Sequence, residues 1–156
     1  FYEIHENISY NPVNVGYELN FDGGNKTILN LEITDADEES NNAGVFGTLN
    51  GVSAIENLKL ENTTVSANGA TAAGALVGYS ATSLTVNNVE SSSNGSVKAM
   101  DYAGGLIGHA EGTVEVTNAR AHIASGASVT AEKYAGGLIG GASLKCDDFM
   151  GIIKAF

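Results

Sequence analysis

The sequence predicts an all-β fold, a right-handed parallel β-helix of about four to five coils with roughly 30 residues per coil. Three phased motifs carry that reading. The segment Ala103-Gly104-Gly105-Leu106-Ile107-Gly108 recurs as Ala135-Gly136-Gly137-Leu138-Ile139-Gly140 and as Ala73-Gly74-Ala75-Leu76-Val77-Gly78. One residue shorter, it recurs again as Ala43-Gly44-Val45-Phe46-Gly47, so the closing glycines at 47, 78, 108 and 140 stand 31, 30 and 32 residues apart. An apolar-x-Asn-apolar step keeps the same beat through Asn30, Asn57, Asn88 and Asn118, spaced by 27, 31 and 30. The third motif, Val65-Ser66-Ala67, Val97-Lys98-Ala99 and Val129-Thr130-Ala131, recurs every 32 residues.

These segments are too short for amphipathic helices, and their internal period is two: Val97 and Ala99 share one side while Lys98 takes the other. Three motifs per repeat therefore imply three short strands per turn, rich in Thr, Val and Ile and separated by Gly, Asn and Ser turns. One turn cannot bury its own apolar side. Stacked turns share a continuous interior, each hydrogen-bonded to the next at about 4.8 Å. The right hand follows from the twist of strands of L-residues and the handedness of parallel crossovers.

The organisation read along the chain is a lead-in or N-terminal cap over 1–20, repeats over 21–148, and a C-terminal cap or a continuation into further chain over 149–156. Phe1, Tyr2, Ile4 and Ile8 are placed to cover the first coil. At the other end Asp147 or Asp148 is placed to cap a short helix carrying Phe149, Ile152, Ile153 and Phe156. Within the repeats Leu76, Leu106 and Leu138 occupy one phase and are expected to stack inside the coil. Asn30, Asn57, Asn88 and Asn118 are expected to form a side-chain ladder from turn to turn, with Asp148 as its last rung. The competing reading of those asparagines is an exposed turn, where Asn tolerates a left-handed backbone.

The Ala-Gly-Gly-Leu-Ile-Gly block and its copies, each about ten residues ahead of an apolar-x-Asn-apolar step, resemble the GLUG repeat of bacterial cell-surface and secreted proteins. The stretch from Phe21 to Leu31 is similar to the segment that leads into such repeats, and the resemblance covers roughly residues 21 to 148. It implies a β-helical accessory module of an adhesin-like or surface protein, and it implies no activity. The copy at Ala43 to Gly47, one residue short, departs from the pattern.

Candidate chemistry is sparse. Asp35, Asp37, Glu38 and Glu39 are the densest group of hard oxygen ligands, but their spacing matches no EF-hand loop, and a solvated inserted loop is the preferred reading over calcium. His5 begins no His-Glu-x-x-His motif because Ser9 stands where the second His is needed. His109 and His122 are read as surface residues, and the single Cys146 as a small packed side chain. The glycine motif closes a strand instead of opening a helix, so it is no phosphate loop. No catalytic residue, metal site or cofactor is assigned. Tyr102 and Tyr134 share the position before the Ala-Gly-Gly block and are the candidates for stacking on a sugar ring, a packing role being preferred.

Composition narrows the partners. Lys plus Arg number 7 against 18 Asp plus Glu, a net charge of -11, which disfavours nucleic acid because few counterions could be released. No apolar run approaches the roughly 18 to 20 residues needed to span a bilayer, so membrane insertion is not expected. One Cys excludes a disulfide framework. The opening Phe1-Tyr2-Glu3, without an initiator Met, reads as a piece of a longer or processed chain with neighbouring domains. The expectation is a non-catalytic structural, adhesin-like module, extracellular or at the cell surface, with an extracellular protein or a glycan as partner. The alternatives are a carbohydrate-binding module and, behind it, a fragment of a β-helical polysaccharide-active enzyme; fold alone does not choose among them.

Overall fold

The computed structural model describes residues 8–34, 42–67, 69–93 and 96–142. They form a parallel β-solenoid of about four turns with roughly 31 residues per turn, and no helix is present among them. The strands are β1 (Ile8–Tyr10), β2 (Val13–Val15), β3 (Leu19–Leu29), β4 (Leu31–Thr34), β5 (Asn42–Ala43), β6 (Phe46–Leu49), β7 (Ser53–Glu61), β8 (Thr64–Ser66) and β9 (Ala72–Ala73). They continue as β10 (Val77–Ser80), β11 (Leu84–Ser93), β12 (Val97–Lys98), β13 (Tyr102–Gly104), β14 (Ile107–Ala110), β15 (Val114–Ile123), β16 (Val129–Thr130), β17 (Tyr134–Gly136) and β18 (Ile139–Ala142). Four sheets run along the stack: β1-β4-β8-β12-β16, β2-β6-β10-β14-β18, β3-β7-β11-β15 and β5-β9-β13-β17.

A full turn therefore has four strands, where the sequence motifs suggest three. The extra strand comes from the glycine motif, which is two strands folded about a sharp corner. The first Gly and the closing Gly of each block let the two arms meet backbone to backbone: a Cβ on Gly108 would stand 2.5 Å from the Gly78 carbonyl oxygen and 2.7 Å from the Ala73 nitrogen. At Gly78 a Cβ would stand 2.7 Å from both the Ala43 nitrogen and the Gly47 oxygen. The motif is thus explained by close approach. In the short first copy the pairing of Ala43 with Ala73 and of Phe46 with Val77 leaves out the residue at the Ala75 corner position and keeps the register on both arms.

The core is one continuous column system. Ile33, Val65 and Val97 stack in register with Val129, and Ile55 and Val86 with Val116. Leu76 and Leu106 are fully buried. Leu138 follows them in the same column, its carbonyl accepting from the Leu106 backbone N–H at 3.0 Å, but it is only partly buried because it lies in the last described turn. The lead-in contributes to the stack as well: β1 pairs in parallel with β4 and β2 with β6. The acidic group Asp35 to Glu39, His5, Cys146, the proposed rung Asp148 and the proposed helix after it lie outside the described residues.

The asparagine column corrects one of its members. Asn118 Nδ2 donates to Asn88 Oδ1 at 3.3 Å, Asn88 Nδ2 to Asn57 Oδ1 at 2.9 Å, and Asn57 Nδ2 to Asp22 Oδ1 at 3.0 Å. Asn30 is not in this column. A bulge between Asp22 and Lys26 shifts the first turn, Lys26 pairs with Leu58, and Asn25 takes the rung, accepting from Asn88 at 3.2 Å. Asn30 instead begins a second pair, accepting from Asn62 Nδ2 at 2.6 Å. The ladder and turn readings prove compatible, since Asn25, Asn30, Asn57, Asn62, Asn88 and Asn118 all have φ between 50° and 59°. Each bends its chain at a left-handed residue, and the bend turns the carboxamides into a row. The Asp22 carboxyl, which also accepts from the Gly24 backbone N–H at 2.8 Å, is held below the usual carboxylate range, first by that bond and then by Asn57.

Because the ladder is exposed, its hydrogen bonds compete with water and the left-handed backbone dominates the energetics of each rung. Asn88→Ala is expected to cost about 1 to 2 kcal/mol, the strain of an alanine at positive φ. Asn88→Gly removes the same side chain but keeps the φ, and is expected to cost well under half as much in a urea titration. Equal losses in the two variants would assign the effect to the ladder bonds instead.

Candidate functional site

Two outward columns border the glycine corner. On one arm the column reads Asn42, Ala72, Tyr102, Tyr134, aligned by the pairing of β5, β9, β13 and β17. On the other it reads Thr48, Tyr79, His109, Gly141, aligned by β6, β10, β14 and β18. The corner folds the two columns toward each other, and their side chains meet: Asn42 Nδ2 donates to Thr48 Oγ1 at 2.9 Å in the first turn, and in the third the Tyr102 and His109 rings stack at 4.0 Å and 23°.

The rings continue along the stack. Tyr134 lies 5.3 Å from Tyr102 with planes 9° apart, and Tyr79 lies 5.7 Å from His109 at 25°. Tyr102 and Tyr134 are partners in adjacent turns with nearly parallel planes, so these rings turn faces to one another. The structure therefore brings Tyr102 and Tyr134 together but spends their shared faces on each other. Tyr134, in the last described turn, is 56% exposed. The glycine at 141 makes room for the stack, since a Cβ there would stand 2.6 Å from Tyr102 Cδ1 and 2.8 Å from His109 Nδ1. His109 Nδ1 is buried and has no hydrogen-bond partner among the described residues.

Polar groups flank the rings. Lys133 Nζ pairs with Asp101 Oδ2 at 2.9 Å, and this bond raises the lysine's pKa, with the Asp101 charge second. The pair is exposed on the lysine side and contributes little to stability. The Tyr79 phenol is raised first by burial and then by the neighbouring Glu111 carboxylate. Asn42, Thr71, Ala72, Tyr79, Asp101, Tyr102, His109 and Glu111 line an open cleft of about 410 Å³. A smaller groove of about 210 Å³ runs along the Asn25, Asn57, Asn88 and Asn118 row.

Sequence reasoning paired Tyr102 with Tyr134 but treated His109 as an isolated surface histidine and did not connect Tyr79 to them. The signal was available in the alignment of Thr48, Tyr79, His109 and Gly141, one column away from the tyrosines; what no spacing rule supplied was that the corner folds the columns face to face. Among the described residues no group of three or more His, Cys, Asp or Glu side chains is close enough to hold a metal ion. Comparison with family models, with curated proteins and with solved structures finds no match for this chain.

Proposed function

We propose that this chain is a non-catalytic, adhesin-like β-solenoid module that works outside the cell or at its surface as a rigid spacer. The observation that supports it is the run of columns that pass from turn to turn along the described residues. The apolar interior, the glycine seam, the asparagine row and the aromatic stack all tie one turn to the next, an arrangement suited to holding a fixed length. A net charge of -11 keeps such a body soluble when displayed. The resemblance of the Ala-Gly-Gly-Leu-Ile-Gly copies to GLUG repeats of bacterial surface proteins agrees with this role.

The reading is tested by distance and by activity. Spin labels at Asn20 and Glu115, which share an exposed column three turns apart, should report one narrow separation of about 14 Å that persists on warming until the chain unfolds. A broad or shifting distribution would overturn the spacer reading. Incubation with soluble polysaccharides should release no fragments, and release would replace it by the β-helical polysaccharide-active enzyme.

A further inference from the structure

We infer that the cleft beside Tyr79 is a binding site for a neutral, hydroxyl-rich sugar, so that the module recognises a glycan at one place on its side. This rests on the surface-module reading and names its partner. The site differs from the ridge that the sequence suggests, because the faces shared by Tyr102 and Tyr134 are occupied by each other. Tyr79 is different. One face meets His109, and among the described residues no ring stacks on it from the side of its first-turn partner Thr48. The facing column offers only Asn42 and Ala72 at that level, where later turns carry Tyr102 and Tyr134. The repeat thus withholds two large side chains at the place where a cleft of about 410 Å³ forms, a volume within the range that holds small ligands.

The lining selects the chemistry. Asp101, which accepts from Lys133, and Glu111, beside Tyr79, supply carboxylate oxygens with capacity for further hydrogen bonds. Thr71 adds a hydroxyl, Asn42 a carboxamide, and Tyr79 and His109 an apolar wall. Among the described residues no Lys or Arg lines the cleft, and Lys133 touches it only through its pair with Asp101. This set accepts hydrogen bonds from several hydroxyls, packs against a C–H face, and repels uronic and other acidic sugars. An anion is therefore the wrong ligand.

The test uses the 156-residue chain and isothermal titration calorimetry, whose signal does not depend on any one side chain. Neutral hexose oligosaccharides based on glucose, galactose and mannose, a polygalacturonate fragment and a linear polyamine are titrated in turn. At least one neutral sugar should give a saturable change, and the acidic sugar none. Tyr79→Ala should weaken binding at least tenfold, and so should Thr48→Tyr, which fills the open side of Tyr79 with a residue its own column already carries one turn later. Tyr134→Ala, outside the cleft, should bind as the unaltered chain does. Thermal melts establish that the variants are folded, and Thr48→Tyr keeps the test decisive if Tyr79→Ala is not. Saturation by the polyamine or the acidic sugar alone, silence with every neutral sugar, or equal neutral-sugar affinity in Thr48→Tyr would each overturn the inference. None of these results bears on the spin-label distance, so the spacer reading stands or falls separately.

Discussion

Leu106→Ala is expected to lower the stability of the solenoid by about 2 to 5 kcal/mol, the range for deleting a large aliphatic side chain from a packed core. The residue is 0% exposed and lies between Leu76 and Leu138 in one column, with the backbone bonded on both sides: Leu76 N–H donates to the Leu106 carbonyl at 2.9 Å and Leu106 N–H to the Leu138 carbonyl at 3.0 Å. Those bonds hold the neighbouring turns at fixed spacing, so the cavity has little means of collapsing. In a chain of this size each kcal/mol moves the melting midpoint by roughly 2 to 4 °C, making the shift easy to read by circular dichroism. Leu138→Ala, in the partly buried last described turn, should cost clearly less. A Leu106→Ala midpoint equal to that of the unaltered chain would mean the column does not carry the core.

Gly108→Ala is expected to be similarly damaging for the opposite reason. Its added methyl would meet the Gly78 oxygen at 2.5 Å and the Ala73 nitrogen at 2.7 Å, both backbone atoms that belong to paired strands. Relief requires the two arms of the corner to separate over neighbouring turns, and overpacking of a well-ordered interior costs about 1 to 3 kcal/mol, more where backbone must move. Gly137→Ala supplies the contrast. Among the described residues no atom lies within 4 Å of a Cβ there and its φ is not in the left-handed region, so that substitution should be neutral or stabilise by about 0.4 to 1 kcal/mol through the unfolded chain. Parallel chemical denaturation of the two variants checks the argument, and equal midpoints would show that the seam is not tightly packed.

Much of the architecture is legible in the sequence because a solenoid writes each turn in the same order. The closing glycines at 47, 78, 108 and 140 announce the turn length, and Val97-Lys98-Ala99 with its copies announces strands with one side inward. The same regularity misleads where a turn is irregular. Asn30 satisfies the motif as well as Asn57 does, yet the bulge between Asp22 and Lys26 hands its rung to Asn25. A motif match records residue type, whereas the rung is decided by which backbone atoms pair across turns.

The four-strand turn was hidden for a related reason. Read as one segment, Ala103 to Gly108 gives no sign of bending back on itself; the bend follows from the absence of Cβ atoms at Gly104 and Gly108, which allows two backbones to touch. By itself, then, the sequence determined the parallel stacked fold, its turn length, the inward leucine phase and the acidic surface, all properties of local alternation and repeat period. The tertiary structure alone decided that Tyr79, His109, Tyr102 and Tyr134 form one stack beside a cleft. These residues belong to two strands on opposite arms of a corner, and the distance between them depends on how closely the arms pack, a quantity no spacing along the chain encodes.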